Sequence, residues 1–261
     1  MKRAILFNAW GSQCIQEIGR CVEARTYPRE LATYLITDRE TDVDTLPDWV
    51  QVERIDYRLE RGLRKVETLE HLPVGYQSFL YLDSDTIILN DIELGFTKAE
   101  QHGIAMAPAP RYDLADSLGF EAIMAAEDAP DMGQMVYNAG VIFFTLTNDT
   151  RRVFDRWRQI VERHKDYYYH DQAPLTLAME VEGFVPYVLS VSYNYRTYGT
   201  YIHGIVRLWH SRNEVPADLN DQPYVYLRKV IGSTVIYPGT RRSPLVRIAK
   251  RILRKAGTWL K

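Results

Sequence analysis

An α/β fold with a mixed, mainly parallel sheet and helices on both faces is predicted by three features of the sequence. Short, continuously apolar runs recur through the first hundred residues, as expected of strands buried on both sides. Segments with apolar residues at helical spacing lie between them, and this alternation calls for parallel strands joined by crossovers. One apolar run, FLYL, ends against Asp83, and ligands of such sheets bind at the carboxyl ends of the strands.

Each element follows from its own pattern. Ala4–Ala9 reads as a buried strand, Ser12–Arg25 as a helix, ATYLIT at Ala32–Thr37 as the second strand and Val50–Ile55 as the third. Leu63, Val66, Leu69 and Leu72 mark a helix that Pro73 and Gly75 stop. After Leu89 the pattern loosens. Ile104–Ala107 reads as a strand, and residues 108–136, with three prolines and few apolar runs, as a mobile excursion. Gly140–Leu146 is strongly strand-like. Val153, Phe154, Trp157, Ile160, Val161 and His164 then define one helix face. A short helix starts near Asp171, and Val185–Leu189 and Ile205–Trp209 read as strands. No linker, repeat or low-complexity segment intervenes, so 1–240 reads as one domain and 241–261 as an appendage.

Composition narrows the function. The 261 residues are 46% apolar and 25% charged, which suits a buried core and argues against disorder. A formal net charge of −2 excludes a general nucleic-acid binder. The charge is unevenly placed, however: residues 241–261 carry eight Lys/Arg and no Asp/Glu, so an acidic body ends in a basic tail. No apolar stretch approaches the roughly 18–20 residues of a membrane span. The opening MKRAILFNAWGSQC has a basic tip, but Asn8 and Gly11 break its short apolar run, which suits a first strand better than a signal peptide. Cys14 and Cys21 lie seven residues apart on the first helix, about 10 Å along its axis. They are too distant to bridge, and reduced thiols fit a cytoplasmic chain.

The chemistry-bearing string is LYLDSDTIIL. Asp83 and Asp85 are two apart where a strand breaks into a turn, so both carboxylates can face one side. Two carboxylates against an apolar run are costly to hold together without a cation. Oxygen ligands favour Mg²⁺, Mn²⁺ or Ca²⁺. Two chemistries use such a pair: a metal gripping the diphosphate of a nucleotide sugar, or the nucleophile and general acid of a haloacid-dehalogenase-type phosphatase. That phosphatase motif opens its domain and needs a later acidic pair after an apolar strand. Here three strands and two helices precede it, and Asp128/Asp131 and Asp218/Asp221 follow no strand. Context favours the metal, with a non-catalytic nucleotide-sugar binder as a third reading.

With these residues the chain resembles the GT-A glycosyltransferases, most of all the glycogenin-like and lipopolysaccharide-galactosyltransferase-like group called family 8. The resemblance spans roughly residues 3–212. Its landmarks come in order: a first strand, RKVETLEHLP, LYLDSDTIIL, YNAGVIFF, HDQAPL, SYNYR and a strand ending in His210. It implies a Rossmann-like nucleotide-diphospho-sugar transferase fold, a divalent metal (Mn²⁺ or Mg²⁺), and transfer of a hexose, with a UDP-sugar as donor and retention at the anomeric carbon.

Carried over residue by residue, the resemblance makes Asp83 and Asp85 the metal pair, with Asp83 and Ser84 also at the donor. RLWHSR places His210 as the third metal ligand, with His203 as the alternative. The family's Gly/Lys/Pro/Trp signature after this His is absent, and Arg212 can stand in as phosphate partner. Asn138, Ala139 and Gly140 match the motif that touches the donor sugar, Gly140 allowing close backbone approach. Asp171 and Gln172 match the catalytic pair near the sugar hydroxyls and anomeric carbon, and Asp171 also suits a helix N-cap. Phe7, Asn8 and Ala9 are expected to line the base pocket with Asp38. Lys65, beside Arg64, is expected to contact the donor. Donor and metal would then order residues 108–136 over the site.

The expected acceptor is a saccharide or a lipid-linked sugar. Tyr167, Tyr168, Tyr169, Tyr193, Tyr195, Tyr198 and Tyr201 cluster around the last motifs and suit sugar stacking as well as core packing. In the tail, Leu245, Ile248, Ala249, Ile252, Leu253, Ala256, Trp259 and Leu260 share one helical face opposite a basic one. Such a helix either lies on an anionic membrane surface, which would make the chain peripheral on the cytoplasmic face, or packs on the body.

Overall fold

The computed structural model describes residues 1–114, 120–127, 129, 135–166, 168–196, 204–217 and 219. The basic tail, His203, the later acidic pairs, and Tyr167, Tyr198 and Tyr201 lie outside the described residues. In chain order the elements are β1 (Arg3–Asn8), α1 (Gly11–Glu23), β2 (Ala32–Thr37), β3 (Val50–Arg54), a 3₁₀ helix (Arg61–Glu70), β4 (Ser78–Leu82) and β5 (Thr86–Ile88). Then follow α2 (Glu93–His102), β6 (Ile104–Asp113), α3 (Glu121–Ala126), β7 (Met135–Thr145), α4 (Asn148–His164), α5 (Gln172–Val181), β8 (Tyr187–Val188), a 3₁₀ turn (Val191–Tyr193) and β9 (Leu208–His210).

Seven strands form one sheet in the order β3-β2-β1-β4-β7-β6-β8. Pairing is parallel except on the two sides of β7. The chain runs outward from β1 to β3 and returns to β4 on the other side of β1. The reversal opens a crevice at the carboxyl ends of β1 and β4, where a ligand can enter between diverging loops. β5 and β9 make a separate two-stranded antiparallel ribbon beside that crevice.

Strand residues alternate between two cores. Ala4 and Leu6 of β1 and Phe79 and Tyr81 of β4 pack with Val153, Phe154 and Trp157 of α4 and Leu175 and Leu177 of α5. Ile5 and Phe7, with Leu80 and Leu82, pack instead with Ile15, Ile18 and Val22 of α1 and Phe96 of α2. Both faces are therefore dry, which explains why the strands read as continuous apolar runs. Side chains of this size contribute about 1.5–3 kcal/mol each when fully buried.

Three differences from the sequence expectations have physical causes. Leu63, Val66, Leu69 and Leu72 are spaced strictly by three, and the segment 61–70 is 3₁₀ rather than α, because residues i and i+3 eclipse only at three residues per turn. α2 escapes the apolar pattern because it buries only Gly95, Phe96 and Ala99. The described part of 108–136 is not an irregular excursion: β6 continues through Pro108 and Pro110 to Asp113. Register shifts against β7 absorb the prolines. Leu114, Phe120 and Ile123 are fully buried. No helix among the described residues is long and apolar enough to cross a membrane.

Candidate active site

Beyond Leu82 the chain turns sharply into β5. The turn is fixed by Thr86, whose backbone N–H and hydroxyl donate to the Asp83 carbonyl at 3.2 and 2.7 Å. β5 pairs with β9 so that Thr86 faces His210, and the Ser211 N–H donates to the Asp85 carbonyl at 2.9 Å. Ligand atoms of Asp83, Asp85 and His210 thereby lie within 4.8 Å of one another. His210 Nε2 is 3.2 Å from Asp85 Oδ1 and 3.7 Å from Asp83 Oδ2. Burial pushes the Asp85 carboxyl up, but His210 and the charges of Arg196 and Arg212 hold it below the usual carboxylate range.

Asn194 orients the imidazole. Its Oδ1 lies 2.6 Å from His210 Nδ1. An amide oxygen only accepts, so this assignment puts a proton on Nδ1 and turns Nε2 toward the carboxylates. Asn194 Nδ2 donates to the Asn138 carbonyl at 3.4 Å, and the Gly140 N–H donates to Asn138 Oδ1 at 2.9 Å. Gly140 itself closes against the group: a Cβ there would stand 2.2 Å from His210 Cε1 and 2.7 Å from Asp83 Oδ2. These residues fit a divalent cation. Two carboxylates and an imidazole converge, the ring is held with one nitrogen inward, and the backbone leaves a space that any side chain would fill.

Lys65 connects this group to the second motif. Its Nζ lies 2.9 Å from Asp83 Oδ1 and 2.6 Å from Asp171 Oδ2, and donates to the Ala139 carbonyl at 3.1 Å. Burial would lower the ammonium pKa, but the charges of Asp171 and Asp83 outweigh it and raise the value above that of a free lysine. The Tyr81 hydroxyl also donates to Asp83 Oδ1, at 3.0 Å. Asp171 does occupy the N-cap position of α5, but its side chain makes no capping bond. It serves Lys65 instead, while Trp157 Nε1 donates to its carbonyl at 2.9 Å.

A cavity of about 220 Å³ adjoins these groups, lined among others by Lys65, Asp83, Gly140, Asp171, Gln172 and Arg196. Asn138, Ala139, Tyr168 and His170 complete much of its wall. Among the described tyrosines, Tyr193 and Tyr195 are core residues, whereas Tyr169 is exposed.

The end of β1 is built differently from expectation. The Phe7 ring is fully buried in the α1-side core, so its side chain presents nothing to a ligand, and Ala9 is likewise buried. Asn8 is saturated by protein: Tyr57 donates to its Oδ1 at 2.6 Å, and its Nδ2 donates to the Arg64 carbonyl and to Thr68. The open surface comes from Trp10, Tyr57 and Arg64. The guanidinium lies 4.6 Å from the Trp10 ring centroid and 4.7 Å from that of Tyr57, and contacts Asp38 Oδ2 at 3.2 Å. Burial raises the Asp38 pKa, but bonds from the Thr41 hydroxyl and N–H and the Arg64 charge leave it depressed overall.

Ser84 and Arg212 do not line the cavity itself but meet on Glu17 of α1, at 2.6 and 3.2 Å. Asn194, Tyr81, Trp10, Tyr57 and Glu17 join the site only through the tertiary structure. Asn194 lies in the landmark SYNYR and Tyr81 in LYLDSDTIIL; nothing local marks Trp10, Tyr57 or Glu17.

No protein-family profile matches the sequence, and no curated protein sequence does. Solved structures do, and the fold they share with this chain is the GT-A glycosyltransferase fold. The galactosyltransferase LgtC, solved with donor and acceptor sugar analogues, matches with a TM-score of 0.53 at 15% identity, over 92% of this chain and 99% of that one. Mouse xyloside xylosyltransferase 1 matches at 0.54 and 12% identity, over 83% of this chain and 100% of its own. The bifunctional glycosyltransferase WbbM matches at 0.56 and 11% identity, over 89% of this chain and 50% of that one.

Proposed function

We propose that this chain is a metal-dependent glycosyltransferase that moves a hexose from a UDP-sugar to a saccharide or lipid-linked acceptor. One observation carries the reading: Asp83, Asp85 and His210 converge at the carboxyl end of β4, beside a cavity that also holds Lys65, Gly140, Asp171 and Gln172. The metal would be Mn²⁺ or Mg²⁺, and Asp83, Asp85 and His210 would hold it. When bound, it would supply positive charge that stabilises a departing nucleoside diphosphate.

This chain's own residues do the rest. Trp10, Tyr57, Arg64 and Asp38 form the wall on which the base rests, and Asp83 also lies near the ribose. Asn138 to Gly140 admit the sugar, and Arg212 meets phosphate oxygens. Asp171 and Gln172 bind sugar hydroxyls near the anomeric carbon, with Lys65 fixing Asp171. Transfer retains configuration, the acceptor attacking from the face of the leaving group and its proton passing to the leaving phosphate oxygen. The basic tail would hold the enzyme on the cytoplasmic face of an anionic membrane, beside a lipid-linked acceptor.

A panel of UDP-sugars tests the reading. Mn²⁺-dependent release of UDP from one of them, and an anomeric configuration preserved in the product by proton NMR, are expected. No turnover of any donor together with no metal-dependent UDP binding would overturn it, and inversion would overturn the front-face route alone.

A further inference from the structure

We propose that Glu17, on α1, is a positioning residue that holds Arg212 where its guanidinium grips the donor's diphosphate. The inference rests on the donor reading above and adds a residue to it. Glu17 is 3% exposed, and a buried carboxylate is costly unless it is paired and hydrogen-bonded. Its two oxygens take different partners. Oε2 accepts from the Ser84 hydroxyl at 2.6 Å. Oε1 faces Arg212 Nε at 3.2 Å and accepts from Gln13 Nε2 at 3.2 Å. Ser84 stands between the two aspartates, and Arg212 stands two residues beyond His210. A single carboxylate thus ties to α1 both segments that carry the metal group.

The geometry suits a phosphate grip. Arg212 is paired through Nε at 3.2 Å while its side chain stays 65% exposed, so the guanidinium is held at one end and still open to a ligand. A guanidinium presented this way matches phosphate oxygens in a bidentate manner. The residue before it, Ser211, donates its N–H to the Asp85 carbonyl at 2.9 Å, so Arg212 follows directly on the metal group. Arg212 is the only basic residue in SRNEVPA, the stretch that follows His210. A flexible surface arginine loses entropy when it binds. Tethered to a buried carboxylate, it has lost much of that freedom beforehand.

Calorimetric titration of the full chain with UDP and with UMP, in saturating Mn²⁺, tests the assignment. Glu17→Gln keeps an acceptor for Ser84 and removes the charge that holds Arg212. UDP affinity should fall about tenfold in Glu17→Gln and in Arg212→Gln, the scale of one charge-assisted hydrogen bond. The double variant should lose no more than either single one, because both remove the same grip. UMP affinity, and Mn²⁺ affinity without nucleotide, should change less than twofold, and Arg212→Lys should recover part of the UDP loss. Unchanged UDP affinity in the single variants, additive losses, or equal losses for UMP and UDP would each overturn the proposal alone. Arg212→Gln, at an exposed side chain, keeps the test decisive if Glu17→Gln does not fold. Failure of the wild-type chain to bind UDP, GDP or ADP with Mn²⁺ would overturn the donor reading and this proposal with it.

Discussion

Gly140 and His210 approach so closely that no methyl group fits between them: a Cβ on residue 140 would stand 2.2 Å from the imidazole Cε1. The absence of a side chain at residue 140 lets His210 and Asp83 converge. Gly140→Ala must displace His210 or the Asp83 carboxylate. It should destabilise the fold by about 1–3 kcal/mol and weaken Mn²⁺ binding at least tenfold. Electron paramagnetic resonance of free Mn²⁺ measures the second effect and thermal melting the first. Wild-type metal affinity in this variant would refute the assigned site.

Asp85→Asn keeps the size of the side chain and removes its charge. The variant should fold and lose Mn²⁺-dependent UDP binding, seen as loss of the thermal shift produced by ligand in the wild type. His210→Ala should weaken Mn²⁺ more than His203→Ala does. Asn194→Leu, which frees the His210 ring, should cost about 10–100-fold in metal affinity. The reverse order of the two histidine variants would move the third ligand to His203.

Lys65 is nearly buried between Asp83 and Asp171, at 2.9 and 2.6 Å. Lys65→Met leaves both carboxylates facing an apolar side chain. Removing one partner of a buried ion pair costs about 3–5 kcal/mol. The value here should fall at the lower end, since Tyr81 still donates to Asp83 and both carboxylates are partly exposed. Urea unfolding of Lys65→Met and Lys65→Arg separates charge from shape: only the first should lose most of this energy.

Asp38 gives a pH signature. Thr41 and Arg64 hold its pKa below the ordinary value despite burial. A depressed native pKa means stability that is fully present above the unfolded value, about 3.9, and lost as pH falls through the native one. Asp38→Asn should therefore unfold at lower urea than wild type at pH 7. The difference should shrink as pH drops below about 4. A difference independent of pH would show that shape, not charge, is at work.

The two thiols should differ in reactivity. Cys21 is completely buried, which pushes its pKa up to about 12, whereas Cys14 is partly accessible. At pH 8 a small disulfide reagent should label Cys14 in the native chain and both cysteines only after denaturation, because the thiolate is the nucleophile. Rapid native labelling of Cys21 would mean that α1 opens readily.

The sequence by itself determined the sheet, the strand end at Asp83 and the order of the motifs. These are local properties: a strand buried on both faces must be apolar along its length, and Asp83 and Asp85 are covalent neighbours of β4. Even 61–70 was legible as a helix, although its strict three-residue spacing sets the 3₁₀ form. What only the tertiary structure decided is which distant side chains meet. Lys65 reaches Asp171 because the 3₁₀ helix and the start of α5 pack over the same end of the sheet. Asn194 selects the imidazole tautomer from 16 residues away, and Glu17 meets Ser84 from 67. The Phe7 ring, placed in the pocket by its position at the end of β1, faces the core instead, because alternate strand residues point to opposite faces and the α1 side is filled. Chain composition carries no information about such meetings. They depend on crossover geometry, which puts the ends of β1 and β4 side by side and brings polar groups of distant segments together there.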